Sequence, residues 1–597
     1  MADAQSHRGP DDCGFVAWRT PSGWTVALSN RRLAIIDRSA AGHQPMVLDD
    51  RLWLTFNGEI YNFIELRAEL ESLGRQFRTR SDTEVLLHAY DQWGDSCLER
   101  LNGMWSFALW DRPRGILFCA VDCSGMKPFH FLHTPGSFVF ASEIKALLTQ
   151  SDMPRKVDRE IALLYLVSSV DSYEDRTFFD GIRRLRPGHA MRVTTNGGLA
   201  IQTWRWWQPR LSDRPSSLEE AGAKLNELLR DSIKLRYRSD VPVGISLSGG
   251  LDSGGLLCTA ADMAAKGQLS LPDGLRTFTA ATGDPRTDEA PAAAQLASGM
   301  HATPYSVRPT AAELTADVER LVAQHDEPFK SLSTYMQFRV MRLARESGTV
   351  VILSGQGPDE LLWGYPWHYA YVWRDLVSGG RLGAFARAVV DVTLHGTVGI
   401  KELMGYATYA WVPEARLRRY LARVGPFLSD VLKDHDSAIA KRIFKRESGR
   451  EFFTQEVESL GLPSLLRYED RNSMAFSVES RLPYLDPRIL DLAYSLQSWD
   501  RIDRGWSKAV LRRALTGVAP LNLVHQRRKL GFAAPEAEFL RALVPTLRES
   551  FGSNSRSHTL LRPKMIVDSM ERGHSPPSHF WRFLNLELWM RAYGLGV

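Results

Sequence analysis

The order of apolar and polar residues divides the chain into two parts with different periodicities. In residues 15–205, β-branched and aromatic residues alternate with polar ones or cluster between turn signals, a pattern typical of short strands. Apolar residues at helical spacing predict helices over 63–73 and 83–93, the second capped by Ser81 and Asp82. Many strands and few helices indicate an α+β domain of antiparallel sheets. The strands predicted there include 23–28, 52–57, 115–121 and 137–141.

A linker containing Pro209 and Pro215 is predicted at 208–217, and strands and helices alternate after it. Such alternation indicates a parallel sheet with helices on both faces. From residue 366 onward the chain reads as largely helical. The predicted fold is therefore an α+β domain followed by an α/β domain with a helical C-terminal part. The strands predicted in the second domain are 243–247, 276–279 and 350–353, and the helices are 218–234, one from Ser253, 288–297 and 335–346.

The amino-acid composition and net charge limit the kinds of binding partner and the cellular compartment expected for this chain. The 597 residues carry a net charge of +5 without a dense basic block, so nothing indicates a nucleic-acid partner. Five cysteines, an odd and sparse set, fit a reducing compartment without disulfides. No apolar run is long enough to cross a bilayer, and the polar N-terminus lacks a signal sequence. We therefore expect a cytoplasmic protein with no membrane partner.

The sharpest chemical signal is the segment SGGLDS, which directly follows the predicted strand 243–247. Glycines let the backbone turn tightly, and the N-terminus of the next helix offers N–H groups to phosphate. Serine hydroxyls add donors, and a carboxylate beside such a cradle suits Mg²⁺. An ordinary strand–turn–helix connection is the alternative; no Gly-Lys-Ser/Thr follows, so this is not a Walker P-loop. The predicted ATP or pyrophosphate ligands are Ser248, Gly249, Gly250, Leu251, Asp252 and Ser253.

A second glycine-rich turn, SGQGPDE, follows the predicted strand 350–353. Because loops at the carboxyl ends of parallel strands face one crevice, we expect the two turns to form one ligand site. Asp359 would then supply a second magnesium carboxylate beside Asp252. The further predicted nucleotide ligands are Ser354, Gly355, Gln356 and Gly357.

Three further motifs follow the two turns in order: YEDRNSMA (468–475), VESRLPYLD (478–486) and RRKLGF (527–532). The SGGLDS turn resembles the pyrophosphate loop of the ATP-pyrophosphatase superfamily. Together, the two turns and the three motifs resemble bacterial glutamine-dependent asparagine synthetases, which belong to that superfamily. The resemblance implies an asparagine synthetase domain over 218–597 that cleaves ATP between its α- and β-phosphates. Lys529 matches the family's essential lysine and would stabilise charge on the phosphoryl oxygens, together with Mg²⁺. Lys508 is a weaker phosphate-binding candidate. Gln356 stands where well-studied asparagine synthetases often have Glu, which leaves the acceptor carboxylate open.

The first half carries HRGPDD (7–12), RRLAIID (31–37), NGEIYN (57–62) and SDTE (81–84), which resemble the glutaminase domain of the same enzymes. The resemblance implies a type 2 glutamine amidotransferase domain over 1–207, of the N-terminal-nucleophile type with sandwiched antiparallel sheets. By that match, Arg32 would hold the glutamine carboxylate and Asp82 its amine. Asn57 and Gly58 would form the oxyanion hole, and Glu59 would help to hold the substrate.

The family's nucleophile is a cysteine exposed as the first residue after Met removal, whose own α-amine serves as the base. Position 2 of this sequence is Ala2, and Cys13 is not terminal. The domain therefore reads as shortened at its N-terminus. Either the start was placed downstream of the true one, which the retained Arg32, Asn57 and Asp82 favour, or glutaminase chemistry was lost. As the sequence stands, we expect no glutamine hydrolysis and ammonia-dependent synthesis.

The leading functional hypothesis is an amide-forming ligase that uses ATP and Mg²⁺ to convert aspartate into a β-aspartyl-adenylate. Ammonia, which the family takes from glutamine, then gives asparagine, AMP and pyrophosphate. The expected partners are these small molecules and, from the family, a second copy in a homodimer. The second hypothesis is a tailoring ligase that resembles β-lactam synthetases or lasso-peptide cyclases and acts on another carboxylate. A non-catalytic regulatory relative ranks last, because Ser248, Asp252, Asp359 and Lys529 are all retained.

Overall fold

The first half of the chain is built on antiparallel strands, as predicted. The computed structural model describes residues 1–195, 198–210, 214–395, 399–430, 448–527, 534–571 and 578–596. The strands of the first half are β1 (Asp12–Arg19), β2 (Thr25–Arg32), β3 (Met46–Leu48), β4 (Leu52–Ile60), β5 (Gly103–Asp111), β6 (Ile116–Val121), β7 (His130–Thr134), β8 (Ser137–Ala141), β9 (Arg183–Arg184), β10 (His189–Thr194) and β11 (Ala200–Arg205). They form a six-stranded sheet in the order β11-β10-β6-β5-β4-β3, a β8-β7-β9 sheet and a β1-β2 pair.

The central strand β5 is buried at every position, because β4 and β6 flank it and both of its faces are covered. Its sequence therefore shows no alternation of apolar and polar residues. Helices α1 (Phe63–Ser72), α2 (Asp82–Trp93), α3 (Ile144–Leu147) and α4 (Arg159–Ser168) complete this half. The predicted cap of α2 is confirmed, since the Ser81 side chain accepts a hydrogen bond from Thr83 N.

The second half contains a parallel sheet, which confirms the predicted fold class. Its strands β12 (Val243–Ser246), β13 (Arg276–Ala280), β14 (Thr303–Val307), β15 (Val351–Leu353) and β16 (Glu479–Arg481) lie in the order β14-β13-β12-β15-β16. Every pair in this sheet is parallel. The helices between the strands are α5 (Leu218–Arg236), α6 (Leu251–Ala265), α7 (Ala290–Gly299), α8 (Ala311–Gln324), α9 (Ser333–Glu346) and α10 (Pro358–Leu361). Strand β16 was not predicted, because it is a three-residue strand within a helical region.

The rest of the second half is helical, as predicted. Its described helices are α11 (His368–Ser378), α12 (Leu382–His395), α13 (Ile400–Trp411), α14 (Pro413–Val424), α15 (Gly449–Glu458), α16 (Gly461–Met474), α17 (Pro487–Ser495), α18 (Ser498–Arg501), α19 (Ala509–Ala514), α20 (Leu521–Val524), α21 (Glu536–Ala542), α22 (Val544–Ser550), α23 (Pro563–Glu571) and α24 (His579–Ala592). Within the described part of the chain, no helix combines the length and the apolar character needed to cross a membrane.

A buried cluster of charges joins the two halves. The Arg8 guanidinium donates to both carboxylate oxygens of Asp470 on α16, at 2.8 and 2.9 Å, and to Glu143 at 2.9 Å. Arg471 lies beside Asp470 at 2.7 Å and also contacts Asp326, at 3.2 Å. Burial opposes ionisation of Asp470, but Arg8 and Arg471 lower its pKa to about 2. Neither half can keep these charges buried without the other.

Arg8→Ala is expected to lower the free energy of unfolding by about 3–5 kcal/mol, because it removes the cation that Asp470 and Glu143 share and leaves their buried charge only partly compensated, by Arg471 and Lys145. Chemical denaturation of wild type and variant measures this loss. Arg112→Ala is the matched control, since Arg112 pairs with Asp50 where both side chains are largely exposed, and it is expected to lose less than about 1 kcal/mol. Equal losses in the two variants would contradict the stabilising role of the buried cluster.

Candidate active site

The predicted SGGLDS turn connects β12 to α6. Gly249 has a φ of +70°, and a Cβ there would lie 3.1 Å from the backbone of both Glu289 and Ala293, so glycine is required. Ser248 N donates to the Ser253 hydroxyl at 3.0 Å, which closes the turn. No side chain caps α6 at Gly250. Anion binding by its first N–H groups is compatible with this uncapped start and stays a prediction.

The second glycine-rich turn follows β15 and packs against the first. A Cβ at Gly355 would lie 2.8 Å from Ser253 N, so the backbones of the two turns touch and leave no room for a side chain. Gly357 has a φ of +112°, which favours glycine and lets α10 begin immediately after the turn. The carboxyl ends of β12 and β15, which pair with each other, thus bring both predicted turns to one place.

The side chain of Lys508 lies between the two predicted magnesium carboxylates. Its Nζ is 2.6 Å from Asp252 Oδ2 and 2.6 Å from Asp359 Oδ1. Burial disfavours the charged amine, but Asp252 and Asp359 outweigh it and raise the pKa of Lys508 to about 12. The residue has a left-handed conformation with a φ of +54° at the start of α19. A fixed positive charge therefore lies at the meeting point of the two turns.

A cavity of about 360 Å³ opens at this point. The structure brings most of the predicted nucleotide ligands to its wall: Ser248, Gly250, Leu251, Asp252, Ser253, Ser354, Gly355, Gln356 and Asp359. Gly249 and Gly357 shape the turns without lining the cavity. Lys529 lies outside the described residues. Arg512 and Arg527 add positive charge to the wall, and burial lowers the pKa of Arg512 to about 10.

The donor set fits a magnesium ion that arrives with phosphate. Asp252 and Asp359 converge on the Lys508 ammonium, and their carboxylate oxygens have further lone pairs that can bind a second cation. In the described part of the chain, no group of three or more His, Cys, Asp or Glu residues could hold a metal by itself. Mg²⁺ commonly uses one or two carboxylates and completes its shell with phosphate oxygens and water. The residues present therefore suit a nucleotide-bound ion better than a resident metal.

The first half of the chain contains another cavity, of about 670 Å³, which we call the first cavity; the nucleotide cavity of about 360 Å³ in the second half is called the second cavity. All five predicted glutamine ligands line the first cavity: Arg32, Asn57, Gly58, Glu59 and Asp82. Gly58 has a φ of +145°, and a Cβ there would lie 2.1 Å from Met104 O. Asn57 Nδ2 donates to Ser142 Oγ at 3.2 Å. The Arg32 guanidinium donates to the backbone carbonyls of Ser39, at 3.0 Å, and Ile36, at 3.1 Å, which fixes its position.

Carboxylates crowd one side of this first cavity. Burial, Glu479 and Asp82 raise the pKa of Glu59 well above its usual range, and burial together with Glu479 raises the pKa of Asp82 to about 6. Arg481 is the nearest cation, with Nη2 3.7 Å from Glu59 Oε1. Such a wall suits a ligand that brings a positive charge, such as an ammonium group. Cys13, on β1, also borders the cavity.

Comparison with known proteins matches one family pattern to each half of the chain. The pattern of a glutamine amidotransferase domain matches residues 1–207, and the asparagine synthase pattern matches residues 224–591. The chain belongs to the asparagine synthase family. Bacillus subtilis asparagine synthetase [glutamine-hydrolyzing] 3 is 29% identical over 100% of this chain and 96% of its own length. Asparagine synthetase [glutamine-hydrolyzing] 1 of the same organism is 28% identical over 90% of this chain and 83% of its own.

A further relative is the Penicillium rubens protein amidase chyE, 28% identical over 82% of this chain and 76% of its own length. The predicted family and enzyme class are confirmed. The chain is an ATP-dependent amide ligase of the carbon–nitrogen type.

The structure gives several residues positions that the sequence around them does not signal. Lys508, the weaker phosphate-binding candidate, lies between the two carboxylates, whereas Lys529 lies outside the described residues and its role stays a prediction. Glu479 and Asp470 belong to the motifs VESRLPYLD and YEDRNSMA, but neither lines the nucleotide cavity. Glu479 instead lines the first cavity, and Asp470 pairs with Arg8. No local signal separates these cases, since each depends on residues distant in sequence.

Gly355→Ala is expected to weaken ATP binding by about tenfold or more, because the new methyl group forces the two turns apart at a cost of about 1–3 kcal/mol. Calorimetric titration with ATP and magnesium measures the change. Gly299→Ala is the control, because no atom lies within 4 Å of the position its Cβ would take. Unchanged ATP affinity in Gly355→Ala would mean that the contact between the turns does not shape the nucleotide site.

Proposed function

We propose that this ligase activates a carboxylate, in the simplest case the side chain of aspartate, as an acyl-adenylate and converts it into an amide with ammonia. The observation that carries the proposal is the ammonium of Lys508, held against Asp252 and Asp359 where the two glycine-rich turns meet. Negative charge builds on the phosphoryl oxygens when a carboxylate attacks ATP, and a fixed cation at that point lowers the barrier.

The chemistry has two steps. A carboxylate oxygen attacks the α-phosphorus of ATP, and the bond to the β-phosphate breaks, releasing pyrophosphate. Ser248, Ser253 and the N-terminus of α6 would bind the phosphate oxygens. Asp252 and Asp359 would hold Mg²⁺, which when bound supplies charge neutralisation for the leaving pyrophosphate. Ammonia then attacks the acyl carbon, loses a proton and displaces AMP. Lys529 is the second lysine proposed to stabilise the phosphoryl charge.

Free ammonia is the proposed nitrogen source. The support is that the thiol among the described lining residues of the first cavity belongs to Cys13, which lies within β1 and has no α-amine of its own to serve as the base. The proposal assigns the amidotransferase domain to residues 1–207 and the synthetase domain to 218–597. It also includes the homodimer expected from the family, which light scattering tests.

A second candidate is a tailoring ligase of the same fold. Among the described residues that line the second cavity, those other than Asp252, Asp359, Lys508, Arg512 and Arg527 are neutral, and position 356 carries an amide instead of a carboxylate. The ammonium group of a free amino acid would therefore face no carboxylate among these residues except Asp252 and Asp359, which Lys508 contacts. This observation favours an acceptor acid without an ammonium group. The neutral residues are Ser333, Thr334, Gln337, Gln356, Leu465 and Tyr468.

Pyrophosphate release from the purified chain, with ATP, magnesium and aspartate, is expected with ammonium and not with glutamine. Release with both nitrogen sources would mean that another group, with Cys13 the first to examine, hydrolyses glutamine. Release with neither would remove aspartate as the acceptor. A panel of carboxylic acids with and without an adjacent ammonium group then decides between the two candidate functions.

Lys508→Ala and Asp252→Asn are each expected to lower the rate of pyrophosphate release by more than about 100-fold, because each removes charge aimed at the transferring phosphoryl group. Lys529→Ala, measured beside them, ranks the two lysines. Lys266→Ala is the control, since Lys266 pairs with Asp262 at the exposed end of α6. Wild-type rates in Lys508→Ala would overturn the assignment of the site.

A further inference from the structure

Two arginines add positive charge to the wall of the second cavity. Arg512, on α19, and Arg527 both line it. Among the described residues, neither forms an ion pair with a carboxylate, in contrast to Lys508, which contacts Asp252 and Asp359. The charged residues described on this wall are therefore three cations and two carboxylates. An excess of positive charge in a partly enclosed space favours an anionic ligand.

One aromatic ring contacts both arginines. The guanidinium carbon of Arg512 lies 4.9 Å from the centre of the Trp506 ring, and that of Arg527 lies 4.8 Å from it. Both distances fall within the range of about 6 Å over which a cation is attracted to a ring face. Trp506 itself does not line the cavity. It therefore holds two like charges, which repel each other, at a wall where a bound anion would stabilise both.

The backbone around Trp506 is fixed by a tight turn. Trp506 N donates to Asp503 O at 2.8 Å, and Asp503 N donates to Trp506 O at 3.1 Å. Gly505 has a φ of +75°, which favours glycine. Its carbonyl accepts a hydrogen bond from the Tyr369 hydroxyl of α11 at 2.9 Å. The turn is thus tied to α11, and the position of Trp506 does not depend on a ligand, as a preorganised site requires.

Arg512 is fixed by backbone carbonyls. Its Nε donates to Ser507 O at 2.8 Å, its Nη2 donates to Gln526 O at 3.1 Å, and its Nη1 donates to Val524 O. Because a guanidinium has five N–H groups, two are left for a ligand. The same bonds join the segment before α19 to the segment that leads to Arg527. Both arginines are therefore held on one wall by contacts that lie behind it.

We propose that Arg512 and Arg527 bind the β- and γ-phosphates of ATP and the pyrophosphate formed from them, and that Trp506 is a positioning residue that holds both guanidiniums. A guanidinium binds two phosphate oxygens through parallel hydrogen bonds. The proposal rests on the nucleotide site proposed above, in which Lys508 stabilises the phosphoryl group under attack. Of the ligands in that reaction, ATP and pyrophosphate carry the most negative charge, so they suit the excess of cations best.

The first test is calorimetric titration of the full chain, in the presence of magnesium, with ATP, inorganic pyrophosphate and AMP. Arg527→Ala is expected to weaken binding of ATP and pyrophosphate by about tenfold or more, because charge-assisted hydrogen bonds are lost. AMP lacks both outer phosphates and is expected to bind within about twofold of wild type. Arg513→Ala is the matched control, since Arg513 neighbours Arg512 on α19 but contacts Glu219 and Asp503, at 3.4 and 3.9 Å, outside the cavity.

The second test addresses the ring. Trp506→Leu is expected to weaken ATP and pyrophosphate binding by about threefold or more without changing AMP binding, because an aliphatic side chain offers no π face to the guanidiniums. Trp506→Phe keeps a ring and is expected to recover most of the affinity. When Trp506→Leu is combined with Arg527→Ala, the total loss is expected to be smaller than independent effects would give, because both changes act on one contact. A ring that only fills space predicts an unchanged preference for ATP over AMP in Trp506→Leu.

These titrations need no turnover, so they separate this proposal from the proposed ligase function. Failure of the ligase function would appear as no pyrophosphate release by wild type, with the preference for ATP over AMP, and its loss in Arg527→Ala, unaffected. Wild-type affinity for ATP and pyrophosphate in Arg527→Ala, or equal weakening of ATP and AMP, would overturn the proposal. An effect confined to the KM for the acceptor acid would also overturn it, because it would assign the arginines to that acid.

Discussion

The pairing of β15 with the three-residue strand β16 is the constraint on which both cavities depend. Ser354 N donates to Arg481 O at 2.9 Å, so the second glycine-rich turn begins where β16 ends. Successive side chains of a strand point to opposite faces. Glu479 and Arg481 therefore face the carboxylates of the first cavity, while Ser480 faces Glu469 behind the second. A shift of β16 by one residue would exchange these roles and disrupt both sites.

Helix α16 contributes charged side chains to the same junction between the two halves of the chain. Three consecutive residues point in different directions, since each helical residue turns by about 100°. Glu469 faces the second cavity's wall, Asp470 pairs with Arg8 of the first half, and Arg471 contacts Asp326. Removing one partner from such a buried set leaves charge that the remaining partners compensate only in part. Buried ion pairs as well as apolar contacts therefore fix the two halves relative to each other.

The sequence predicts the parts of this arrangement that are encoded locally. Strand 137–141 is found as Ser137–Ala141, and the Ser81 cap and both glycine-rich turns lie where spacing placed them. Strand β16 is not predicted from the sequence, because a strand of three residues is too short to show a periodic pattern of apolar and polar positions. For another reason, the sequence offers Lys508 only as the weaker phosphate-binding candidate and does not single out Glu469: their partners are distant, Asp252 by 256 positions and Gln337 by 132. A site whose donors come from separate segments has no signature within any one of them.

Position 356 carries an amide in a cavity to which we assign phosphate binding. A further carboxylate on the wall, without a cation to pair with it, would stand in the same water-poor space as the phosphoryl oxygens, and like charges there repel strongly. An amide keeps a hydrogen-bond acceptor without the repulsion. Among the described residues of the wall, the charge at the reacting phosphate is then set by Asp252, Asp359, Lys508, Arg512 and Arg527.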